Sequence, residues 1–264
     1  MIFKDFKNIE VENSLGVSPP GKDTSIIAKH ASRLNFKSAL EIGTGTGFIP
    51  IYLEKCGLSC QGSDINPKSI ACSVENARKN NCKINFFVSD LFQKVTEKYD
   101  LIILTHVLPH LTNANKIIRK IKISLKNTGI VYISMPNFSS TQSKFSKSNW
   151  FHLDIPRHIY HFSDKTFVKY MNKNKFNLIK KSTTEYHHIF FGWLQSLLNI
   201  FFDEENLLFK YLSIFKRKIN LYKFIKLISL TFLLIPFSLI LTFLEVIKLI
   251  KPSIIEYYFN KEVY

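Results

Sequence analysis

The strongest constraint on the fold is a glycine-rich loop in the sequence LEIGTGTGFIPIYLEK, residues 40–55. In this loop Gly43, Gly45 and Gly47 alternate with threonines, between an apolar run and an amphipathic one. Glycines at this spacing allow a tight turn from a strand into a helix, and they let the first turn of the helix approach a ligand closely. The sequence therefore predicts a small ligand held against the N-terminus of this helix.

The pattern of apolar residues predicts an α/β fold with a doubly wound sheet. Short apolar runs alternate with segments of helical periodicity from residue 23 to about residue 188, which is typical of β-α-β units. The predicted strands are residues 38–42, 59–64, 84–90, 101–105, 129–135, 176–188 and 253–260. The predicted helices are residues 24–33, 48–55, 67–80, 115–126 and 164–174.

The residues around the glycine loop separate two alternatives for the ligand. A dinucleotide fingerprint requires a glycine at the position that Phe48 occupies here, because that glycine allows close packing of helix and strand. Glu41, two residues before the first glycine, would repel a pyrophosphate but attract an ammonium or a sulfonium group. The loop is therefore predicted to bind a ligand that carries positive charge.

Two further acidic residues end the next two predicted strands. Asp64 could accept hydrogen bonds from both hydroxyls of a ribose. Asp90, followed by Leu91 and Phe92, could accept a hydrogen from an adenine amino group while Phe92 packs beside the ring. Open α/β sheets bind ligands at the carboxyl ends of their strands, so we expect all these side chains at one edge.

With these residues the chain resembles the class I S-adenosylmethionine-dependent methyltransferases over nearly all of residues 15–188. The stretch E-x-G-x-G-x-G matches their first motif, and the segments YDLIILTHVLPHL and WFHLDIPRHIYHFSDKTF resemble a bacterial group that includes quinone O-methyltransferases. The resemblance implies a seven-stranded Rossmann-like sheet of strand order 3-2-1-4-5-7-6, with S-adenosyl-L-methionine as the cofactor. The cofactor-binding residues that it implies are Glu41, Gly43, Thr44, Gly45, Gly47, Asp64, Ile65, Asp90, Leu91 and Thr105.

A second resemblance concerns the methyltransferases that modify glutamine or the amino groups of nucleobases. The segments GVSPPGKDTSIIAKHA and INPKSIACSVENARKNN are similar to theirs. Those enzymes carry an Asn-Pro-Pro-Tyr loop after the fourth strand, which grips a planar nitrogen. This chain has Thr105, His106, Val107 and Leu108 there, which disfavours methylation of an amide or a base.

A polar segment after the predicted fifth strand supplies the candidate catalytic residues. A hydroxyl acceptor benefits from a base with a pKa near neutrality, which favours histidine. His158 is the leading candidate, with His152 and His161 behind it; each could instead cap the following helix or hold the loop. The candidate substrate-binding residues are Trp150, Arg157 and Tyr160. Arg157 could bind an anionic group of an acceptor or pair with Asp154.

An apolar insertion is predicted before the last strand. Residues 227–244 carry no charge and would form a helix of about 27 Å, slightly short of a bilayer core. Pro236 would kink it. Because the resemblance implies that the seventh strand returns to the sheet, we predict a kinked hairpin in the cytoplasmic leaflet, with the cations of residues 216–226 on headgroups and Trp193 at the interface. The alternative is an amphipathic lid or a dimer interface. The predicted domains are residues 1–188, 189–252 and 253–264.

Composition limits the remaining possibilities. The net charge is +16, but no stripe of cations interleaved with aromatic residues occurs in the first 200 residues, so a nucleic-acid partner is not expected. Four cysteines without a C-x-x-C pair predict reduced thiols in the cytoplasm and no metal site. The N-terminus lacks the apolar run of a signal peptide.

The resemblance and the apolar insertion together imply an S-adenosylmethionine-dependent methyltransferase at the inner face of the cell membrane, peripheral or monotopic. We expect O-methylation of a small-molecule or lipid-linked acceptor, and the oligomeric state stays open. The alternatives are a catalytically silent fold that binds the cofactor or a partner, a nicotinamide oxidoreductase, and an enzyme that methylates protein or nucleic acid.

Overall fold

A computed structural model describes residues 9–12, 36–89, 97–212 and 220–262. The strands are β1 Ser38–Ile42, β2 Ser59–Asp64, β3 Asn85–Val88, β4 Tyr99–Thr105, β5 Leu125–Pro136, β6 Phe176–Ser182 and β7 Ile254–Lys261. The α-helices are α1 Phe48–Lys55, α2 Pro67–Lys79, α3 Ala114–Ser124, α4 Thr141–Ser146, α5 Asp164–Lys173, α6 Tyr186–Asn199, α7 Leu207–Leu212 and α8 Leu221–Val246. Short 3₁₀ turns cover Leu108–His110, Lys147–Asn149 and Phe151–Leu153.

The strands form one sheet in the order β3-β2-β1-β4-β5-β7-β6, which confirms the predicted Rossmann-like methyltransferase fold. β1 pairs in parallel with β2 and β4, and β6 pairs antiparallel with β7. In this register Glu41 of β1 lies beside Gly62 of β2 and Ile103 of β4. The carboxyl ends of β1, β2 and β4 therefore meet at one edge, which is where open α/β sheets bind ligands.

Burial and capping explain why these segments form these elements. The central strand β4 is a run of buried aliphatic residues from Leu101 to Leu104, as expected for a parallel strand covered on both faces. α2 begins with Pro67, and the side chain of Asn66 caps it by accepting a hydrogen bond from the Lys68 backbone N–H, two features that favour helix initiation.

The chain divides into two compact units. Unit 1 consists of Met1–Met135, Val168–Ser182 and Glu256–Tyr264, and unit 2 consists of Pro136–Phe167 and Thr183–Ile255. Unit 1 contains most of the sheet together with α1, α2 and α3, whereas unit 2 contains α4, α6, α7 and α8. The domain boundaries predicted at residues 188 and 252 stay predictions.

The predicted sixth strand, residues 176–188, is wrong at its C-terminal end. β6 ends at Ser182 and α6 begins at Tyr186, so His187 and His188 lie in the first turn of a helix. The reason is that the residues after them are buried on most sides of α6, which a helix packed against several neighbours allows. The predicted helix at residues 24–33 lies outside the described residues.

The helices α6 and α8 of unit 2 pack against each other in antiparallel directions. Trp193 in the middle of α6 bonds to Glu245 near the end of α8, whereas Leu198 near the end of α6 shares an apolar cluster with Leu227 near the start of α8. α8 has 26 residues, a length of about 39 Å, and continues through Pro236. By length and composition alone it is the single helix among the described residues that could span a membrane.

Candidate functional site

The glycine loop after β1 is held by backbone hydrogen bonds. The N–H groups of Gly43 and Thr44 donate to the Ser63 carbonyl at 2.8 and 2.9 Å, and the Gly47 N–H donates to the Thr44 carbonyl at 2.8 Å. Gly43, Gly45 and Gly47 have φ angles of 75°, 54° and 77°, a backbone conformation that side chains disfavour. The alternating glycines are therefore needed for the path of the loop itself.

Two of these glycines also leave no room for a side chain. A Cβ atom on Gly43 would lie 2.3 Å from Cγ2 of Val107, and one on Gly47 would lie 2.7 Å from Cβ of Ser73. Val107 follows β4 and Ser73 belongs to α2, so the loop is packed closely on both sides. The backbone, rather than side chains, therefore forms the surface that the loop offers to a ligand.

Glu41 is a buried carboxylate at the end of β1, with 5% of its surface exposed. Its Oε2 accepts a hydrogen bond from Thr44 Oγ1 at 2.7 Å. Burial raises the pKa of Glu41 well above its ordinary value of 4.5; the nearby Asp64 charge also raises it, while the Thr44 hydrogen bond lowers it. A cationic ligand would favour the ionised form, since opposite charges attract strongly where water is excluded.

Asp64, at the end of β2, is tied to the same loop. Its Oδ2 accepts a hydrogen bond from the Gly45 N–H at 3.0 Å, and its Oδ1 accepts one from the Asn66 N–H at 2.8 Å. These two bonds orient the carboxylate, which keeps further lone pairs that can accept hydrogen bonds. Ile65, the next residue, is 73% exposed. A hydrogen bond therefore joins Asp64, the acid proposed to bind the ribose, to the glycine loop proposed to bind the rest of the cofactor.

Thr105 ends β4 at the same edge of the sheet. Its Oγ1 is buried and has no hydrogen-bond partner among the described residues. A buried hydroxyl without a partner is unusual in a folded protein, and it fits an edge that a polar ligand completes. Asp90 and Leu91, the predicted adenine-side residues, lie outside the described residues, as does Phe92.

The three candidate histidines lie together in unit 2. His158 Nδ1 is 2.8 Å from the His152 carbonyl, and His161 Nε2 is 2.8 Å from the Leu153 carbonyl. A neutral ring donates its N–H in each contact, so the basic nitrogen is Nε2 in His158 and Nδ1 in His161. His152 differs because it is buried at 6% exposure, with its ring against those of Trp150 and Phe151.

The candidate substrate-binding residues have local partners in unit 2. Trp150 is buried and its Nε1 donates to Oε1 of Gln142 at 2.8 Å. Arg157 donates to Oδ2 of Asp154 from Nε at 2.9 Å and from Nη2 at 2.6 Å, which is the bracing alternative predicted above. Tyr160 stacks on Phe162 at a centroid distance of 5.7 Å. Their roles toward an acceptor stay predictions.

Two residues of the site escaped sequence reasoning. Ser63 supplies the carbonyl that holds the loop, and Asn76 of α2 donates from Nδ2 to the Thr46 carbonyl at 2.9 Å. A backbone carbonyl leaves no signal in a sequence. Asn76 did leave a signal in the sequence, because it is a polar residue on the side of an amphipathic helix that faces the core.

Comparison with known proteins gives one family match. A family described as "Methyltransferase domain" matches residues 24–181. Among solved structures, an S-adenosylmethionine-dependent methyltransferase from Clostridium acetobutylicum has a TM-score of 0.54 at 11% identity, covering 91% of this chain and 90% of that one. At this identity the likeness concerns the fold alone.

Two curated relatives are similar over part of the chain. A Methanocaldococcus jannaschii protein assigned as a protein N5-glutamine methyltransferase is 39% identical over 100 residues, 38% of this chain and 51% of that protein. The ribosomal protein L11 methyltransferase of Campylobacter fetus is 26% identical over 110 residues, 42% of this chain and 39% of that protein. The chain thus spans about half the length of these relatives or less.

The expectation of a small-molecule or lipid-linked acceptor is wrong. Both relatives are named as enzymes that act on proteins. The expectation relied on the resemblance to a group that includes quinone O-methyltransferases, on the apolar insertion and on the absence of an Asn-Pro-Pro-Tyr loop. The grouping with quinone O-methyltransferases stays unconfirmed.

Proposed function

Because the chain belongs to the methyltransferase-domain family, which its residues 24–181 match, we propose that it transfers the methyl group of S-adenosylmethionine to a side-chain nitrogen of a protein. The observation that carries the proposal is the pair Glu41 and Asp64, two carboxylates joined through Thr44 and Gly45 around one glycine loop. Their negative charge suits the cationic methyl donor, and the curated relatives support a protein acceptor.

Within the cofactor site, each residue has a proposed task. Asp64 would accept the ribose hydroxyls, the loop backbone from Gly43 to Gly47 would contact the amino-acid part of the cofactor, and Thr105 would hydrogen-bond at the end of β4. Glu41 would balance the positive charge. The bound cofactor supplies an activated methyl group; the chain supplies alignment and a dry environment.

On the acceptor side we propose an amino group rather than a planar amide. The residues Thr105 to Leu108 after β4 lack the asparagine amide that would hold a planar nitrogen. An ammonium group must lose a proton before its lone pair can attack a methyl group, and a histidine near neutral pKa can accept that proton. His158, whose Nδ1–H contact with a carbonyl makes Nε2 the basic nitrogen, is the proposed base.

The test is methylation of a protein extract with isotope-labelled S-adenosylmethionine, followed by separation into protein, lipid and small-molecule fractions and peptide mass spectrometry. We expect label in protein, on an amino group. Label confined to lipids or small molecules would contradict the protein acceptor, and label on glutamine would contradict the amino group. An Asp64→Asn variant, which should bind the cofactor poorly, controls for background labelling.

We also propose that the enzyme resides at the inner face of the cell membrane and that α8 holds it there. The support is the polarity of this helix. Its buried face carries Ser238, Thr242 and Glu245 as well as Leu227, whereas Phe232 and Phe243 on the other side are 71% and 61% exposed. A helix in water normally has charged and polar residues on its exposed face.

The surroundings of α8 support the same location. Further exposed apolar residues of this helix are Leu233, Phe237, Leu239 and Ile240. Lys248 and Lys251 just after its end could reach anionic headgroups, whereas near its start Lys223 pairs with Glu204 and Lys226 donates to the Phe201 carbonyl. Because the other face packs on α6, we propose a helix lying along the leaflet rather than one that crosses it.

A further inference from the structure

Residues 9–12, a short segment near the N-terminus, pack within unit 1 with every second side chain buried. Ile9 and Val11 are buried, at 0% and 2% exposure, in the apolar cluster that includes Phe48 and Ile51 of α1. The alternate residues Glu10 and Glu12 hydrogen-bond through their backbones to Asn80 and Asn76, at the end of α2. The segment is therefore attached to both helices that follow the first two strands.

The backbone contacts are made by two asparagines of α2, each of which pairs with one residue of the segment. The Glu10 N–H donates to Asn80 Oδ1 at 3.0 Å and Asn80 Nδ2 donates to the Glu10 carbonyl at 2.6 Å. The Glu12 N–H donates to Asn76 Oδ1 and Asn76 Nδ2 donates to the Glu12 carbonyl, both at 2.9 Å. Four residues of a helix rise about 6 Å and two residues of a strand about 6.6 Å, so the spacings match.

The two asparagines differ in their remaining contacts, and Asn76 Nδ2 also lies 3.5 Å from Cys72 Sγ. The second hydrogen of the Asn80 amide goes to the Asn76 carbonyl within α2, at 2.8 Å. The second hydrogen of the Asn76 amide goes to the Thr46 carbonyl in the glycine loop, at 2.9 Å. Asn76 is 1% exposed and Thr46 is 3% exposed, so water does not compete for this bond.

The peptide between Thr46 and Gly47 is thereby held at both ends. Its carbonyl accepts from Asn76, and its N–H donates to the Thr44 carbonyl at 2.8 Å. A glycine with φ of 77° follows this carbonyl, and such a residue can rotate easily when nothing restrains it. This peptide leads directly into the first turn of α1, the part of the loop that a cofactor approaches.

We infer that Asn76 is a positioning residue of the cofactor site: it holds the Thr46–Gly47 peptide in its binding geometry and couples the loop to the segment of residues 9–12. The inference rests on the cofactor site described under the proposed function. It implies that the affinity for the cofactor depends on Asn76 through the loop, whereas Asn80 affects the attachment of the segment and the end of α2.

The experiment compares Asn76→Ala with Asn80→Ala, measuring the Kd of S-adenosylhomocysteine by calorimetry and the stability by denaturant unfolding. Each variant loses the two hydrogen bonds to one residue of the segment and at least one further hydrogen bond, so both should lose stability. We expect Asn76→Ala to raise the Kd about tenfold, the size expected for one lost buried hydrogen bond, and Asn80→Ala to leave it within about twofold.

An unchanged Kd in Asn76→Ala, or an equal rise in both variants, would overturn the inference, since an equal rise would mean that the segment alone matters. If Asn76→Ala does not fold, Asn76→Ser enters the same comparison, because its hydroxyl fills part of the space and does not reach Thr46. Failure of the cofactor site itself would be distinct: the wild-type protein would then not bind S-adenosylhomocysteine.

Discussion

At the scale of single residues, Glu41 makes cofactor binding depend on pH. Its pKa is raised by burial above 4.5, so the free protein keeps a proton there in a pH range where an exposed glutamate has lost it. The protein without ligand should therefore become less stable as pH rises above 4.5 and through the raised pKa, because the folded state binds more protons than the unfolded state.

Binding of the cationic methyl donor should favour loss of the Glu41 proton, since the positive charge stabilises the ionised carboxylate. We expect S-adenosylmethionine to release protons on binding and to bind more tightly as pH rises through this range. Calorimetry in buffers of different ionisation enthalpy measures the release, and Glu41→Gln should abolish it. A binding heat that is the same in every buffer would argue against the role of Glu41.

Gly45 is a residue at which a side chain should be harmful to binding. Its φ of 54° is strained for any β-branched residue, and its N–H orients Asp64. Gly45→Val should abolish detectable binding of S-adenosylhomocysteine in calorimetry. Gly57→Val is a suitable control: its φ is 92° and nothing lies within 4 Å of a Cβ there, so it should lose stability but not affinity.

His158 and His161 provide a comparison for the proposed base, because each ring contacts a backbone carbonyl at 2.8 Å. We expect His158→Ala to lower the methylation rate about a hundredfold, a typical effect of removing a general base, with little change in the Kd of the cofactor. His161→Ala should affect the rate much less. A variant His158→Ala with wild-type kcat would remove this residue from the mechanism.

At the scale of elements, α8 has the clearest testable property. Vesicles containing phosphatidylglycerol should bind the wild-type protein in a sedimentation assay, and Phe232→Asp combined with Phe243→Asp should prevent this by placing charge on the exposed apolar face. Ile179→Asp, on an apolar residue of β6 that is 51% exposed, is the matched control. Absence of vesicle binding, or a dimer in ultracentrifugation that the double variant abolishes, would favour a protein partner for α8.

The elements also differ in how well the sequence predicted them. β1, α1 and β2 have the predicted bounds, because glycine and proline signals mark their ends. β6 was predicted too long, since Thr183, Thr184 and Tyr186 suit a strand as well as a helix start. What ended the strand was the packing of α6, which a local pattern does not contain.

At the scale of the whole molecule, Glu245 should make stability depend on pH. It is buried, and its carboxylate accepts hydrogen bonds from Trp193 Nε1 at 2.7 Å and from Ser253 N and Oγ at 2.7 and 2.9 Å. Burial raises its pKa to about 7 from 4.5. The folded state therefore keeps a proton between these values, and the free energy of unfolding should fall as pH rises through them, by on the order of 3 kcal/mol.

Denaturant unfolding at several pH values between about 4.5 and about 8 measures this dependence. Because Glu41 acts in the same direction, the informative quantity is the difference between wild type and Glu245→Gln. The variant should have the flatter pH dependence; an identical slope would show that Glu245 does not titrate as described.

Local spacing along the chain predicted most strands, the glycine loop and the charge of the ligand, through strand-turn-helix periodicity, glycines where φ is positive, and acids at strand ends. It determined neither the burial of Glu41 nor the bond from Asn76 to Thr46, which joins residues 30 positions apart. Those required tertiary structure, since burial and long-range hydrogen bonds arise only when separate segments exclude water together. The exposed apolar face of α8 is of the same kind: its apolar composition was visible in the sequence, but which face α6 covers was decided by packing.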